Sequence, residues 1–518
     1  MNITLILQIA ALVATALCLV FRLKYETQMA QQNSYRMNRY GKWLWGDLTN
    51  TVRMTDLMLF GIMPVFVGNP WMLGGVFFIN ILKTTKELGR KFKKPLVYTP
   101  RVKRTLAVEA VLVVLWVVAA SVVGGLNHAT MAMQAAVVIA PLITMAAFAV
   151  LTPVEKAINR WYYNDAVRIL RSMPNLKIIA ITGSYGKTST KHYLYRILSE
   201  KYNVLMTPGS FNTTLGVIRT IREYLKPYHE VFIVEMGAKQ VGDIREICEL
   251  VHPSMGIITA VGEQHLESFG CIENVQRTKF ELVDALPADG LAVLNDDFKY
   301  IRERKVDNVR AVRYGNNAEY NVLSTRYADD GTHFTVGNNA GWSLDLRTQL
   351  VGKYNLSNTL AGCIIARELG LSDDEIRIAV ADIQQVEHRL SIRRAGGLTI
   401  IDDAFNSNPH GSAMALEVLA TFTAGKRIVI TPGMIELGAG QREHNRILGR
   451  NMAASCDVAI VVGEFNRDAI VTGLVDGGFP AEQTIVVASF AEATAKLREI
   501  AAPGDTVLYE NDLPDTFK

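Results

Sequence analysis

The sequence lacks any pattern of paired cysteines. Its 518 residues include five cysteines, which lie far apart, and no two of them form a C-x-x-C pair. A disulfide framework and a structural zinc site both need cysteines at characteristic spacings. The cysteines therefore predict neither, and they are compatible with a reducing compartment.

A strong excess of charge of one sign is also absent. The 54 Lys and Arg residues nearly balance the 50 Asp and Glu residues, which leaves a net charge of +4. Domains that bind nucleic acid usually carry a marked positive excess, so we expect no nucleic-acid partner. Apolar residues make up 49% of the chain, and the length leaves room for about three domains.

Charge is missing altogether from several long apolar runs near the N-terminus. Residues 3–21 contain no charged side chain, and about 20 apolar residues are enough to cross a bilayer. No basic segment precedes them, which argues against a signal peptide. Two further runs, 110–126 and 129–152, are joined only by Asn127 and His128. We therefore predict a transmembrane region over residues 1–152 that ends in a tight helical hairpin.

Another apolar run, residues 57–82, is uncharged but irregular. It is interrupted by Pro64, Gly68, Asn69 and Pro70. Proline and glycine disturb a regular helix. The run therefore predicts either one broken span or a re-entrant hairpin.

The charges between these runs predict how the chain crosses the membrane. Residues 83–104 carry nine Lys or Arg side chains and one acid, Glu87, and such basic loops lie on the cytoplasmic side. The hairpin 105–152 is then expected to cross the membrane outwards and back, which places the rest of the chain in the cytoplasm. The chain would therefore cross the plasma membrane several times. Residues 22–54 are also basic, so we expect the 57–82 run to be a hairpin and the N-terminus to lie outside.

Residues 153–176 form a linker of mixed character. They combine charges with apolar and aromatic side chains such as Trp161, Tyr162 and Leu170. An amphipathic helix at the level of the lipid headgroups and an ordinary solvated helix explain this pattern equally well.

A phosphate-binding loop begins the soluble part. The apolar run 177–182 predicts a buried parallel strand, and it leads into a match to G-x-x-G-K-[ST]: Gly183, Ser184, Tyr185, Gly186, Lys187, Thr188 and then Ser189. Glycines let backbone N–H groups turn towards an anion, and a helix N-terminus favours negative charge. Lys187 is expected to reach the terminal phosphates, and the hydroxyl of Thr188 or Ser189 to hold Mg²⁺. The alternative is a surface turn that contains a solvated lysine.

Strands and helices alternate after this loop, which predicts an α/β fold with a mostly parallel sheet. Strands are predicted at 231–235, 255–260 and 291–295, and the first and last of these end in Glu235 and Asn295. Ligands bind at the carboxyl ends of parallel strands. Both side chains are therefore expected beside the phosphate loop, where a carboxylate can hold Mg²⁺.

Several motifs in this order resemble the Mur ligases, most closely their D-alanyl-D-alanine-adding branch, MurF. They occupy residues 182–189, 207–216, 235–238, 265–270, 278–281 and 350–358. The last motif has Tyr354 where the family has histidine, so the role of that histidine is not carried over. The resemblance implies a central ATP-binding domain over 177–388 and a Rossmann-like C-terminal domain over 389–518.

The C-terminal domain carries its own family motifs. Residues 398–403 are predicted to form a strand that runs into a stretch similar to D-D-x-x-N-A-N-P, and residues 431–438 resemble G-D-M-x-E-L-G. Further strands are expected near 457–462, 484–488 and 505–509. A hinge between the two domains is expected near residues 387–390.

The resemblance also implies roles for individual residues. Contacts with ATP are expected from residues 183–189, with Lys187 among them, and from Asn295, Asn358, Arg389 and Asp403. Two Mg²⁺ ions are expected among Thr188, Glu235, His265 and a carbamylated Lys279. Lys187, His265 and Lys279 are the expected catalytic residues. Substrate contacts are expected from Asn212, Asn406 and Asn408.

Two features depart from the family. The N-terminal domain that grips the uridine nucleotide of the family's precursor has no counterpart, and apolar segments occupy its place. The last strand continues into Glu510, Asn511 and Asp512, whereas the family has a K-G-S-R-like segment. Both departures argue against an ordinary soluble UDP-linked substrate.

The sequence therefore predicts a membrane-anchored, ATP-dependent, ADP-forming carboxylate–amine ligase. It would join an amino acid or dipeptide to a carboxylate of a cell-envelope precursor, through an acyl phosphate. The apolar segments suggest a lipid-linked precursor, with other cell-wall synthesis proteins as further partners. Two alternatives stay open: an ATP-binding membrane scaffold or regulator without ligase activity, and a capsule-type polyglutamate synthase.

Overall fold

The structure is a computed structural model that describes residues 3–33, 35–46, 53–66, 69–90, 92, 94–328, 330–405 and 407–513, without the side chains of residues 64–66. The described chain forms two compact units. The N-terminal unit comprises residues up to Arg160, and the C-terminal unit comprises Trp161–Leu513.

In its described residues, the N-terminal unit consists of helices and the short segments that connect them. Its helices are α1 (Ile3–Gln32), α2 (Met37–Gly46), α3 (Met54–Phe66), α4 (Pro70–Leu88), α5 (Pro100–Val138) and the first part of α6 (Ala140–Arg171). Three of them, α1, α5 and α6, are long and apolar enough to cross a membrane, judged by length and composition.

Helix α5 folds back on itself. Gly124 and Gly125 leave the helical conformation, and Gly125 has φ +64° and ψ −155°, which glycine adopts with little strain. The indole Nε1 of Trp116 donates to the carbonyl of Ala132 at 3.0 Å, although a straight helix would separate residues 16 apart by about 24 Å. The predicted hairpin is therefore present, but its turn lies at the two glycines and not at residues 127–128, which are helical.

The apolar run 57–82 also differs from its prediction in detail. It lies in two helices, α3 and α4, and residues 67 and 68 between them fall outside the described chain. Asn69 caps α4 by accepting from the N–H of Trp71 at 2.9 Å, with Pro70 in the first turn. The basic stretch 83–104 is a loop only in its middle, because α4 continues to Leu88 and α5 begins at Pro100.

The C-terminal unit contains two sheets, and the first has nine strands. They are β1 (Lys177–Thr182), β2 (Val204–Met206), β3 (Val231–Glu235), β4 (Met255–Ile258), β5 (Leu291–Asn295), β6 (Arg310–Tyr314), β7 (Tyr320–Ala328), β8 (Gly331–Asn338) and β9 (Ser343–Thr348). Their order is β2-β3-β1-β4-β5-β6-β7-β8-β9. Strands β1 to β6 are parallel to their neighbours, and β7 to β9 form an antiparallel extension.

Helices cover both faces of this sheet. They are α7 (Lys187–Leu198), α8 (Thr214–Glu223), α9 (Asp243–Val251), α10 (Leu266–Phe269), α11 (Ile272–Asp284), α12 (Lys299–Arg302), α13 (Lys353–Glu368) and α14 (Asp373–Ala381). In β1, Ile179 and Ile181 enter one core, and Ile178 and Ala180 enter the core on the other face. Burial on both faces explains why β1 is an unbroken apolar run.

The topology fixes where a ligand can bind. Strand β1 has β3 on one side and β4 on the other. The strand order therefore reverses at β1, and the chain connections on its two sides run in opposite directions. In parallel sheets, such a switch point opens a crevice at the carboxyl ends of the strands. Directly after β1, the chain enters that crevice at Gly183.

The linker helix packs on the first sheet. Ala166, in the last part of α6, is fully buried, and Tyr162 and Leu170 pack into the same core. Neither the headgroup-level helix nor the solvated helix expected from the sequence describes this end of the linker, because its apolar side has a protein partner.

The second sheet has six strands, β10 (Ser391–Ala395), β11 (Leu398–Asp403), β12 (Arg427–Thr431), β13 (Val458–Val462), β14 (Thr484–Val487) and β15 (Thr506–Glu510), in the order β10-β11-β15-β12-β13-β14. Only the β10–β11 pair is antiparallel. The helices are α15 (Pro409–Ala420), α16 (Gln441–Ser455), α17 (Arg467–Asp476) and α18 (Phe490–Ile500). The predicted α/β fold is confirmed.

Candidate nucleotide and metal site

The phosphate loop is held between β4 and α13. Gly183 and Gly186 have positive φ, and a Cβ on Gly183 would lie 2.2 Å from Thr259 Oγ1. A Cβ on Gly186 would lie 2.8 Å from Asn358 Oδ1. Only glycine is tolerated at both positions, and Asn358, for which a contact with ATP is expected, lies against the loop.

Lys187 begins α7 and turns into the loop. Its Nζ donates to the carbonyls of Gly183 and Ser184 at 2.7 and 3.2 Å. Removal from water lowers the pKa of Lys187 to about 8, although the nearby charge of Glu235 opposes the shift. An ammonium that bonds only to neutral carbonyls, beside a helix N-terminus, is suited to accept an anion such as phosphate.

Glu235 ends β3 and is buried beneath the loop. Its Oε1 accepts from Thr188 Oγ1 at 3.2 Å and from Asn212 Nδ2 at 3.1 Å, and Lys191 Nζ lies 3.0 Å from Oε2. Burial alone would raise the pKa of Glu235, but the charges of Lys191 and Lys187 lower it below its ordinary value. A carboxylate and a hydroxyl within hydrogen-bond distance are hard oxygen donors, which is the set that Mg²⁺ prefers.

His265 is placed differently from the other expected metal ligands. Its Nδ1 contacts Oε2 of Glu436, and Lys239 Nζ lies 3.2 Å from Oε1 of the same acid. Burial opposes the ionisation of Glu436, yet the hydrogen bond from His265 and the two positive partners lower its pKa to about 2. Within the described ranges no group of three or more His, Cys, Asp and Glu side chains is arranged to hold a metal.

Lys279 lies on α11 and is buried. Burial lowers its pKa well below the ordinary value, and the charge of Lys187 adds to the shift, while Asp243 and Glu281 oppose it. The charge of Lys279 also acts on the pKa of His265. Lys279 is therefore close enough to Lys187 and His265 to interact with both electrostatically.

Asn295 braces the carboxyl ends of β4 and β5. Its Nδ2 donates to the carbonyl of Thr259 at 2.9 Å, and its Oδ1 accepts from the N–H of Asp297 at 3.1 Å. It lies on the same edge of the sheet as Glu235, as the sequence predicted.

Three residues in or beside the second sheet, for which ligand contacts are expected, make contacts with their own surroundings. Arg389 lies over the ring of Phe405 at 4.2 Å and donates to its carbonyl at 3.1 Å. Asp403 accepts from the N–H of Leu390 at 2.9 Å, and burial raises its pKa to about 6 against the charge of Arg389. Asn408 caps α15 by accepting from the N–H of Gly411 at 2.8 Å. Asn406 lies outside the described residues.

Sequence reasoning missed several residues around the loop. Lys191 was overlooked because a lysine inside a helix is usually solvated, although it follows Lys187 by one turn. Glu436 lies in a recognised motif but received no role. Four rings also meet near the loop, with Tyr185 stacked on His410 at 5.6 Å and Phe298 stacked on Tyr354 at 6.3 Å.

Comparison with known proteins matches most of the C-terminal unit to one family. Residues 181–366 match the model of the Mur ligase middle domain, and residues 388–509 match that of the Mur ligase, glutamate ligase domain. Neither model matches the residues before 181.

Individual relatives agree with the family models. The UDP-N-acetylmuramoyl-tripeptide–D-alanyl-D-alanine ligase of Escherichia coli (strain K12) is 30% identical over 64% of this chain and 74% of its own length. The ligase of that name from Mycobacterium tuberculosis (strain ATCC 25618 / H37Rv) is 34% identical over 65% of this chain and 70% of its own length. A crystal structure of MurF ligase from Thermotoga maritima in complex with ADP aligns with a TM-score of 0.62 and 26% identity, over 68% of this chain and 80% of that one. The chain belongs to the Mur ligase family of ATP-dependent, ADP-forming ligases.

Proposed function

We propose that this protein is a membrane-anchored ligase that joins the amine of an amino acid or dipeptide to a carboxylate of a cell-envelope precursor. The observation that carries the proposal is the phosphate loop with Thr188 bonded to the buried Glu235, in a chain that begins with long apolar helices. A ligase that transfers a phosphoryl group needs Mg²⁺ at the phosphates, and the carboxylate beside the loop hydroxyl offers oxygen donors for it.

The reaction proceeds in two displacements. An oxygen of the substrate carboxylate attacks the γ-phosphorus of ATP in line, which forms an acyl phosphate and releases ADP. The amine then attacks the acyl carbon, loses a proton and displaces inorganic phosphate. Lys187 stabilises the charge on the transferring phosphoryl group, and Thr188 and Glu235 would hold Mg²⁺, which would neutralise charge on the phosphates.

We propose a further metal ligand at Lys279. A lysine reacts with carbon dioxide only as the neutral amine, and burial lowers the pKa of Lys279 well below its ordinary value. The resulting carbamate would replace a cation by oxygen donors suited to Mg²⁺.

The proposed amine is D-alanyl-D-alanine, because the relatives that cover most of this chain are named for that dipeptide. The proposed acceptor differs from theirs in the group to which the precursor is linked. Since neither Mur ligase model covers the first 180 residues, we do not expect recognition of a UDP group by the usual domain, and we propose a lipid-linked precursor in place of the UDP-linked one.

The side chains of the N-terminal unit support placement in a membrane. Val114, Leu115 and Val122 on α5 are each more than half exposed. Buried Glu109 on the same helix accepts from Thr27 and Thr144 at 3.2 and 2.7 Å. Apolar side chains outside and polar ones inside are the pattern of a helix bundle in lipid.

The test uses the full-length protein in lipid nanodiscs with ATP and Mg²⁺. ADP release is measured with a lipid-linked or a soluble UDP-linked acceptor, and with D-alanyl-D-alanine or single amino acids. Turnover that requires both an acceptor and an amine, and that is faster with the lipid-linked acceptor, supports the proposal. Absence of ADP release with every pair favours a scaffold, and equal use of both acceptors removes the role proposed for the membrane.

A further inference from the structure

Lys191 makes an unusual pair of contacts beneath the phosphate loop. It lies on α7, one turn after Lys187, and its side chain is fully buried. Its Nζ lies 3.0 Å from Glu235 Oε2 and donates to the carbonyl of Gly209 at 2.7 Å. A lysine is rarely buried without a partner that compensates its charge, and here that partner is the proposed metal ligand.

The two oxygens of Glu235 have separate surroundings. Oε1 faces Thr188 and Asn212, whose side chains donate to it. Oε2 faces Lys191. A metal that replaces the hydrogen bond of Thr188 can reach the carboxylate through Oε1 without displacing the ammonium.

Lys191 also reaches the segment that carries Asn212. Gly209, whose carbonyl it binds, lies three residues before Asn212, and Asn212 in turn bonds to Oε1. The backbone of that segment is also bonded to the residues that follow β3, since the N–H of Gly237 donates to the carbonyl of Asn212 at 2.7 Å. One buried ammonium therefore links α7, the metal ligand and the 209–212 segment.

We infer that Lys191 is a positioning residue that balances the charge of Glu235 before nucleotide binds and fixes which oxygen receives the metal. This rests on the proposed function, because it assumes that Mg²⁺ binds at Glu235. Before Mg²⁺ arrives, Lys191 pairs with Oε2 and orients the buried carboxylate. Once Mg²⁺ is present, the ammonium and the metal share the carboxylate, so Lys191 weakens metal binding while it preserves the geometry.

The first test needs no activity. The melting temperature of full-length Lys191→Met protein is compared with wild type and with the double variant Lys191→Met/Glu235→Gln, all without nucleotide or metal. We expect the single variant to melt lowest, because it leaves a buried carboxylate unpaired, and the double variant to recover part of the loss. A double variant no more stable than the single one overturns the inference.

The second test measures Mg²⁺ directly. At fixed ADP and pH 8, the Mg²⁺ concentration that gives half of the thermal stabilisation is determined for each protein. We expect Lys191→Met to need at least about tenfold less Mg²⁺ than wild type, since a unit charge close to the carboxylate is removed. Lys191→Arg, which keeps the charge, should stay near wild type and serves if the methionine variant does not fold.

Lys201→Met is the matched control, because Lys201 also donates to a backbone carbonyl, that of Gly370, at an exposed position. It should change neither measurement. A Mg²⁺ requirement for Lys191→Met equal to that of wild type assigns Lys191 a purely structural role and overturns the inference. Failure of Mg²⁺·ADP to stabilise the wild type contradicts the proposed function itself, which keeps the two failures apart.

Discussion

His265 and Glu436 connect the two sheets of the C-terminal unit. His265 precedes α10 beside the first sheet, Glu436 follows β12 of the second, and Nδ1 of the histidine contacts Oε2 of the acid. Both residues have the positive φ that is uncommon outside glycine, 53° and 62°. Such local strain persists where tertiary contacts fix the backbone, so we expect this contact to hold the two sheets in the arrangement that catalysis needs.

Glu436→Gln tests that contact. The variant loses the charge that pairs with His265 and Lys239, and hydrogen bonds to charged groups contribute about 1.5–3 kcal/mol. We expect kcat to fall on the order of tenfold, with little change in the KM for ATP, in an assay of ADP release. Glu443→Gln, an exposed acid on α16, should behave as wild type. An unchanged kcat for Glu436→Gln would show that the contact has no catalytic importance.

Nucleotide binding should weaken at high pH. The pKa of Lys187 is about 8 in the unliganded protein, and a bound phosphate favours the ammonium and so raises that pKa. Below pH 8 the lysine is already protonated and affinity should be constant. Above pH 8 binding must take up a proton, so affinity should fall by up to about tenfold per pH unit. Calorimetric titration with Mg²⁺·ADP at pH 7 and pH 9.5 measures this.

The control for that experiment is Lys187→Met. This variant should bind weakly at both pH values and should lose the pH dependence. ADP release by the variant should be nearly absent, because the loss of phosphate charge stabilisation costs several kcal/mol. Near-normal turnover in a folded Lys187→Met protein would contradict the role of the loop.

Lys279→Ala should be nearly inactive, and acetate or formate should restore part of the activity. The physical reason is that the proposed working group is the carbamate oxygen, which a small carboxylate can replace in the space left by the side chain. A carbamate signal after equilibration with ¹³C-labelled bicarbonate, seen by NMR in wild type and absent from Lys279→Ala, measures the modification independently. Full activity of Lys279→Ala would contradict the assignment.

The linker should stabilise the C-terminal unit. A fragment of residues 153–518 keeps Ala166 and Leu170, which pack on the first sheet, whereas a fragment of residues 177–518 loses them. Burying one large apolar side chain contributes about 1.5–3 kcal/mol, so the shorter fragment should unfold at a clearly lower denaturant concentration. Equal midpoints for the two fragments would mean that α6 contributes nothing to the stability of this unit.

Much of the fold could be predicted because it depends on local patterns. The run 177–182 has the apolar composition of a strand buried on both faces, and Glu235 and Asn295 were placed on the right edge of the sheet because they end such strands. Gly183 and Gly186 were also informative, because their spacing before Lys187 matches G-x-x-G-K-[ST] and so predicted the phosphate loop. The length of the uncharged apolar runs likewise predicted long helices in the regions of α1, α5 and α6.

Where local preference was weak, the predictions failed in detail. The turn of the α5 hairpin was placed at Asn127 and His128, both polar, but it lies at Gly124 and Gly125, since those residues accept the required backbone angles. The linker was assigned to the headgroups or to water, because a sequence does not state which surface an apolar helix face will contact.

The sequence alone determined the phosphate loop, the strands around it and the family, because backbone conformation and apolar periodicity are properties of neighbouring residues. The tertiary structure decided which charges meet. Lys191 reaches Glu235, and His265 contacts Glu436, across separations of 44 and 171 residues. Electrostatic pairing depends on distance and burial in space, and no spacing along the chain encodes either.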